Sequence, residues 1–216
     1  MELKDFRRQY TQGGLQRANL PDQPMSLFEQ WQAEAADAGL ADPTGCVVAT
    51  VQPDDTVRQR FVLLKGIDDR GFVFYTNYNS DKASALSQCH QASMLFPWNE
   101  LDRQVSISGV VEKVSPEESD QYFAARPRAS QIAAWASKQS QSIDSRAALE
   151  QQFGDTVLRF DGADVPRPPH WGGYRLSPTR IEFWQGGSDR LHDRFVYTLN
   201  DSDRHSAKWT LKRLQP

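Results

Sequence analysis

The chain has 216 residues, 38% of them hydrophobic, and a formal net charge of −3. This length predicts one domain with a sizeable core, and the charge argues against bulk nucleic-acid binding, where a basic surface supplies most of the affinity. Mean hydropathy is −0.66, no apolar run approaches the roughly 20 residues that cross a bilayer, and MELKDFRRQY lacks the apolar centre of a secretory signal.

Residues 1–24 are polar, hold Gly13-Gly14, Pro21 and Pro24, and read as an arm; residues 25–216 read as a single domain. Ser26-Leu-Phe-Glu29 has the form of a capping box and predicts a helix to about Ala38, with Phe28, Trp31 and Ala35 on its apolar face and Gly39 ending it. Strands are predicted at 45–51, 57–64, 71–76, 92–97 and 103–114, separated by turn chemistry at Pro53-Asp54-Asp55 and Asp68-Asp69-Arg70-Gly71. A short helix is predicted at 80–88. Ser115-Pro116-Glu117-Glu118 supplies an N-cap, a proline in the first turn and a glutamate at the third position, so a helix starts there. It ends near Arg126, because Pro127 disfavours helical geometry in the residue before it. Helices at 130–138 and 144–159 and a proline-rich loop at 161–170 follow, then strands at 172–176, 179–185, 193–199 and 207–213. Mostly antiparallel strands with helices grouped between them predict an α+β fold built on a β-barrel.

Cys46 and Cys89 have neither metal-ligand spacing nor a disulfide framework, which points to reduced thiols and a cytoplasmic protein. No pair of the four histidines has zinc-ligand spacing. The densest chemistry lies in IEFWQGGSDRLHDR, residues 181–194. Gly186-Gly187 interrupts a buried-strand pattern. Beyond it Arg190, His192 and Arg194 share one parity, so on a strand two guanidiniums and an imidazole would point the same way. Such a row faces either water, as one side of a solvated hairpin, or an anionic ligand.

This segment closely resembles the C-terminal signature of the pyridoxamine (pyridoxine) 5'-phosphate oxidases. Further matching stretches are RRQYTQGGL near the start, QRFVLLKG at 59–66, VFYTNYNSDKA at 73–83, LFPWNELDRQV at 95–105, YFAARPRASQIAAWASKQS at 122–140, WGGYR at 171–175 and the ending WTLKRLQP. The resemblance runs in order through nearly the whole chain. It implies an FMN-binding split β-barrel, a homodimer with FMN at the subunit interface, and oxidation of pyridoxamine or pyridoxine 5'-phosphate to pyridoxal 5'-phosphate, with O2 reduced to H2O2.

The resemblance also assigns residues. Arg60, Phe61, Val62, Leu63, Leu64, Lys65, Tyr75, Thr76, Lys82 and Gln104 would hold FMN from one subunit, and Gln139, Ser140, Trp184 and Arg194 from the other. Taken alone, Arg60 and Lys82 read as surface salt-bridge partners. Lys65, Tyr122, Arg126 and Ser130 would bind the substrate phosphate. Tyr122 and Arg126 are four apart and share a helix face, and Ser130 is placed to cap the next helix. Arg190 and His192 would lie on the substrate ring as the catalytic pair, and Arg7 and Tyr10 would close over it. Asp42, in LADPT, matches a further active-site residue and equally suits a turn before Pro43. At position 81 this chain has Asp where family members usually have a basic residue beside the lysine, which puts one phosphate contact in doubt. Two other readings remain: a related split-barrel oxidase acting on another small molecule, such as a phenazine precursor, and a non-catalytic binder of flavin, haem or pyridoxal phosphate. The first should lack the phosphate clamp and the Arg190-x-His192 pair, the second the arm with Arg7 and Tyr10.

Overall fold

The computed structural model describes residues 2–5, 8–10, 14–200 and 208–216. Five helices and nine strands make up its regular structure: α1 (Pro24–Asp37), β1 (Gly45–Val51), β2 (Val57–Leu63), β3 (Gly66–Asp68), β4 (Gly71–Asn77), α2 (Asp81–Gln88), β5 (Gln91–Trp98), β6 (Arg103–Lys113), α3 (Pro116–Ala124), α4 (Arg128–Ala136), α5 (Arg146–Arg159), β7 (Trp171–Gln185), β8 (Asp193–Leu199) and β9 (Trp209–Leu214). The strands form one antiparallel sheet that does not close, in the order β2-β1-β5-β6-β7-β4-β3. Strand β7 organises it. It pairs with β6 along its length, while its first half pairs with β4 and its second half with β8, which carries β9. This is the split-barrel arrangement that the resemblance implies, within the expected α+β class and with the sheet left open.

Helix α1 starts earlier than its sequence suggests. Pro24 occupies the first turn, where a missing N–H costs nothing, and Ser26 Oγ donates to the Gln23 carbonyl instead of capping. The Ser26–Glu29 capping box therefore does not form. Gly39, at φ +74°, ends the helix as predicted. Leu27, Phe28, Trp31 and Ala35 are buried, and Phe28 meets Phe72, Phe96 and Trp98 at ring distances of 4.9, 4.8 and 5.6 Å. Ser115 caps α3 by accepting from Glu118 N at 3.1 Å, as its sequence predicts. A second, smaller core of Phe123, Ile132, Ala134, Phe160, Val165 and Trp171 lies beneath α3–α5.

Two departures concern β7. The expected break near Pro178 is absent, because a register shift at Ser108/Gly109 of β6 accommodates it. A Cβ on Gly109 would lie 2.1 Å from the Ser177 carbonyl oxygen, so the bulge needs glycine and leaves room for a proline that cannot donate to the ladder. The row predicted from parity also fails. Ser188–Arg190 is a 3-10 turn with Asp189 and Arg190 at φ +54° and +63°, so Arg190 and His192 precede β8 and only Arg194 lies on it.

Candidate active site

A cavity of about 660 Å³ opens between the free edge of β2, strand β4, the start of α2 and helices α3 and α4. Among the described residues β2 pairs only with β1, so its outer edge presents unpaired backbone groups to the cavity. Arg58, Arg60, Phe61, Val62 and Leu63 line it from this strand and Lys65 from just beyond. Leu64, assigned to the same set, instead turns into the core and is 6% exposed.

Cations converge at the β2–α2 side. Arg60 Nη1 donates to the Val48 carbonyl (3.0 Å) and to Thr50 Oγ1 (2.9 Å), which fixes it against β1. Lys82, 8% exposed at the start of α2, donates from Nζ to Thr76 Oγ1 at 2.8 Å, Gln139 Oε1 at 3.0 Å and Ser80 Oγ at 3.4 Å. Burial, reinforced by Arg60, pushes its pKa down to about 8. Thr76 Oγ1 donates in turn to Gln139 Oε1 (3.0 Å), and Asp81 N donates to Ser140 Oγ (3.3 Å). Gln139 and Ser140, expected from a second subunit, thus lie in the same chain's cavity as Lys82. Asp81 is half-exposed and pairs with Arg58 at 3.0 Å.

The α3–α4 side is aromatic. Tyr75 and Tyr122 stack at 3.9 Å, and both rings run nearly parallel to Trp171 at 5.4 and 6.2 Å. Burial pushes the Tyr75 phenol up to about 12, so it stays protonated and can donate. The Arg126 guanidinium lies 4.6 Å from the Trp171 ring centre, and its buried Nη1 has no hydrogen-bond partner. Burial lowers the Arg126 pKa. A guanidinium held on an aromatic face with an unsatisfied buried N–H is prepared for an anion. Ser130 is neither cap nor lining: α4 starts after Pro127, and Ser130 N donates to the Pro127 carbonyl in the first turn.

A second cluster surrounds a smaller cavity of about 460 Å³ lined by Arg8, Gln9, Tyr10, Gly187, Asp189, Arg190 and His192. Tyr10 meets Trp184 and His192 edge-on at 5.4 and 5.2 Å, and Trp184 lies 4.7 Å from His192. Gly187 N–H donates to His192 Nδ1 at 3.2 Å, so a neutral His192 carries its proton on Nε2 and presents a donor. The arm is fastened beside it: Arg8 Nη2 pairs with the buried Asp102 at 2.5 Å, and Arg8 Nη1 donates to the Asn99 carbonyl. Gln104, Trp184 and Arg194 form a cross-strand row through β6, β7 and β8, with Arg194 held by Glu182 at 2.7 Å. Arg7 lies outside the described residues. Asp42 lines neither cavity; its carbonyl accepts from Gly45 N in the turn before β1.

Of the residues the sequence assigned, the larger cavity collects Arg60, Phe61, Val62, Leu63, Lys65, Tyr75, Thr76, Lys82, Tyr122, Arg126, Gln139 and Ser140. The smaller cluster holds Tyr10, Trp184, Arg190 and His192, with Gln104 and Arg194 in the adjoining row. Trp171 and Arg58 were missed. Arg58 carried a signal, since it shares strand parity with Arg60; Trp171 was visible only as part of WGGYR. Among the described residues no group of three or more His, Cys, Asp or Glu could hold a metal, and no helix is long and apolar enough to cross a membrane.

Residues 32–158 match the family model described as pyridoxamine 5'-phosphate oxidase, and residues 171–216 match the pyridoxine 5'-phosphate oxidase C-terminal dimerisation region. A pyridoxine/pyridoxamine 5'-phosphate oxidase of Shewanella frigidimarina is 53% identical over 215 residues, covering 100% of this chain and 99% of the relative. That of Photobacterium profundum is 50% identical with both chains fully covered. Among solved structures, PhzG from Burkholderia lata 383, in complex with tetrahydrophenazine-1-carboxylic acid, superposes with a TM-score of 0.85 at 33% identity, covering 92% of this chain and 95% of that one. A pyridoxamine 5'-phosphate oxidase-related, FMN-binding protein from Nostoc punctiforme shares the fold at a TM-score of 0.71 and 16% identity, covering 91% of this chain and 100% of that one. With a family model matched over more than half its length and full-length relatives near 50% identity, the chain belongs to the pyridoxamine 5'-phosphate oxidase family.

Proposed function

We propose that this protein is an FMN-dependent homodimeric oxidase that converts pyridoxamine or pyridoxine 5'-phosphate to pyridoxal 5'-phosphate, with O2 as the electron acceptor. The observation that carries the reading is a single cavity with two separately anchored groups of cations. Arg60 and Lys82 act on one another electrostatically at the α2 end, whereas Arg126 is coupled to Tyr122 on the aromatic wall. Two phosphorylated ligands, cofactor and substrate, need two such anchors.

The residues fit FMN. About 660 Å³ lies within the range of cofactor pockets. Lys82 and Arg60 suit a phosphate, the α2 N-terminus adds backbone donors, and the free β2 edge supplies hydrogen-bonding groups for a polar ring. Bound FMN would supply a two-electron acceptor that O2 can reoxidise. What this chain contributes is position. Lys65, Tyr122 and Arg126 grip the substrate phosphate, with Arg126 offering a bidentate fork. His192, with Nδ1 engaged by Gly187, directs an Nε2 donor, and Arg190 a cation, at the opposite end of the substrate. Binding energy at the phosphate is thereby used to orient the reacting carbon.

The two clusters meet across a dimer in this reading. Trp171 and Trp184 stand near opposite ends of β7, thirteen steps apart, so one chain's two clusters serve different sites in this reading. The dimerisation region spans Trp184, Arg190, His192 and Arg194, which supports their reaching the partner's larger cavity. Free thiols at Cys46 and Cys89 support a cytoplasmic location. The cavity's phosphate grip favours a phosphorylated substrate over a phenazine precursor. The test is an absorbance spectrum of the protein supplied with FMN, before and after anaerobic pyridoxamine 5'-phosphate. Bleaching of the flavin band and recovery in air are expected. A flavin spectrum that the substrate does not bleach would transfer the reading to another substrate, and no flavin binding would end it.

A further inference from the structure

We propose that Arg58, held in place by Asp81, supplies a phosphate cation from the edge strand β2. The inference rests on the FMN reading above.

Three observations carry it. The first is place: Arg58 and Asp81 both line the larger cavity at the end where Arg60 and Lys82 lie, and they pair at 3.0 Å across its rim. The second is charge. Arg60, Lys82 and Asp81 together carry one net positive charge, whereas a phosphate monoester carries about −1.5 to −2 at pH 7. Arg58 supplies the second positive charge. The third is availability. Lys82 Nζ already has three acceptors in Thr76, Ser80 and Gln139, and Arg60 Nη1 is committed to β1. Arg58 donates through one Nη1 contact to Asp81, and its side chain is 55% exposed, so it can turn toward an incoming anion without leaving the carboxylate.

Asp81 has a defined task in this arrangement. An acidic residue beside a phosphate repels it, but one that holds a guanidinium at the rim limits the rotamers that Arg58 must give up on binding. Asp81 positions Arg58, and Arg58 makes the contact. The exposed pair adds little to folding, so its removal leaves the protein intact.

The experiment compares FMN with riboflavin, which has the same ring and no phosphate, by flavin fluorescence titration of wild-type protein, Arg58→Ala, Arg58→Lys, Asp81→Asn and the Arg58→Ala/Asp81→Asn double variant. Arg58→Ala is expected to weaken FMN binding about three- to tenfold, as suits a half-exposed charged contact, and to leave riboflavin unchanged. Arg58→Lys should recover part of the loss. In the Asp81→Asn background, removing Arg58 should cost less than in wild type, because the residue is no longer oriented. Wild-type FMN affinity in Arg58→Ala would overturn the proposal and leave the pair as surface decoration. Equal weakening of FMN and riboflavin would overturn it too, by placing the effect in the β2 edge and not in the phosphate. Undiminished cost in the Asp81→Asn background would remove Asp81's positioning role. Failure of wild-type protein to bind either flavin would instead refute the FMN reading itself.

Discussion

Replacing Arg126 by Ala separates a ligand-binding arginine from a structural one, because the structure sets opposite expectations for the two. Its buried Nη1 lacks a hydrogen-bond partner, a deficit of about 1–3 kcal/mol. The guanidinium recovers roughly 0.5–2 kcal/mol from its place 4.6 Å over Trp171. These contributions nearly cancel, so Arg126→Ala should leave the stability of the ligand-free protein within about 1 kcal/mol, a shift of about 2–4 °C in Tm for a chain of this size. The substrate phosphate loses its bidentate charged partner, worth about 1.5–3 kcal/mol, which predicts a rise in KM of roughly ten- to hundredfold. FMN affinity should not change. Arg126→Lys, a point charge without the fork, should recover only part of the loss. Steady-state kinetics with pyridoxamine 5'-phosphate, flavin titration and a thermal melt decide the matter together. A large fall in Tm with unchanged KM would make Arg126 a packing residue. Loss of FMN in place of substrate affinity would mean that the two phosphate anchors are exchanged.

Three further outcomes follow from the same geometry. His192→Ala should keep full flavin content and lower kcat, since the Nε2 donor fixed by Gly187 disappears; wild-type turnover in that variant would remove His192 from the chemistry. Lys82 titrates near 8, against an unfolded value of 10.5. Between these values the unfolded chain binds more protons, so the stability of the ligand-free protein should rise with pH through this window. FMN affinity should fall across it, because the phosphate prefers the charged lysine, while riboflavin affinity stays flat. Cys46, pushed up from 9.0 to about 12, and Tyr75, Tyr174 and Tyr197, pushed up to about 12, act in the opposite sense above pH 9 and pH 10 respectively, so melts and titrations between pH 8 and 9 give the clean reading. Finally, a Cβ on Gly186 would lie 2.6–2.9 Å from Tyr10 side-chain atoms, so Gly186→Ala should displace the arm, raise KM and speed proteolysis ahead of α1 without loss of flavin; an unchanged arm would show that Tyr10 yields freely.

Much of the fold is legible because local chemistry and tertiary demand agree. Ser115-Pro116 starts α3 since cap, proline and Glu118 serve one helix end. The sequence misleads where two local signals compete or where a distant strand intervenes. Ser26 resembles a cap, but Pro24 begins the helix first. Pro178 resembles a break, but the bulge opposite it on β6 absorbs the missing donor. The three residues of β3 are too few to show a period. The candidate site follows the same division. Arg60, Lys82, Tyr122 and Arg126 are legible only through the resemblance, since type and spacing alone read the first two as surface salt-bridge partners, and the cavity gathers all four. Arg190 and His192 do not form the predicted row, because Arg190 lies in a left-handed turn and His192 follows it ahead of β8. Nothing in a single chain's sequence says which residues share a subunit, so Gln139 and Ser140, expected from a second subunit, are found beside Lys82 and Asp81 of their own chain.

The question of subunits can be made decisive for the residues proposed to come from a partner. Arg126 lines the larger cavity, and His192 lies in the dimerisation region near the far end of β7. Each alanine variant alone should be strongly impaired as a homodimer. If one site takes Arg126 from one chain and His192 from the other, a hybrid of the two variants contains one site with both defects and one with neither. Coexpression with random pairing gives half hybrids, each with one intact site, so about a quarter of wild-type activity should return. If each chain builds its own site, every site in the hybrid keeps one defect and no activity returns. Hybrids isolated on two different affinity tags should show about half the wild-type kcat per dimer with a normal KM. That combination of halved turnover and unaltered KM cannot arise from partial repair of damaged sites, since a site lacking Arg126 would still carry its raised KM.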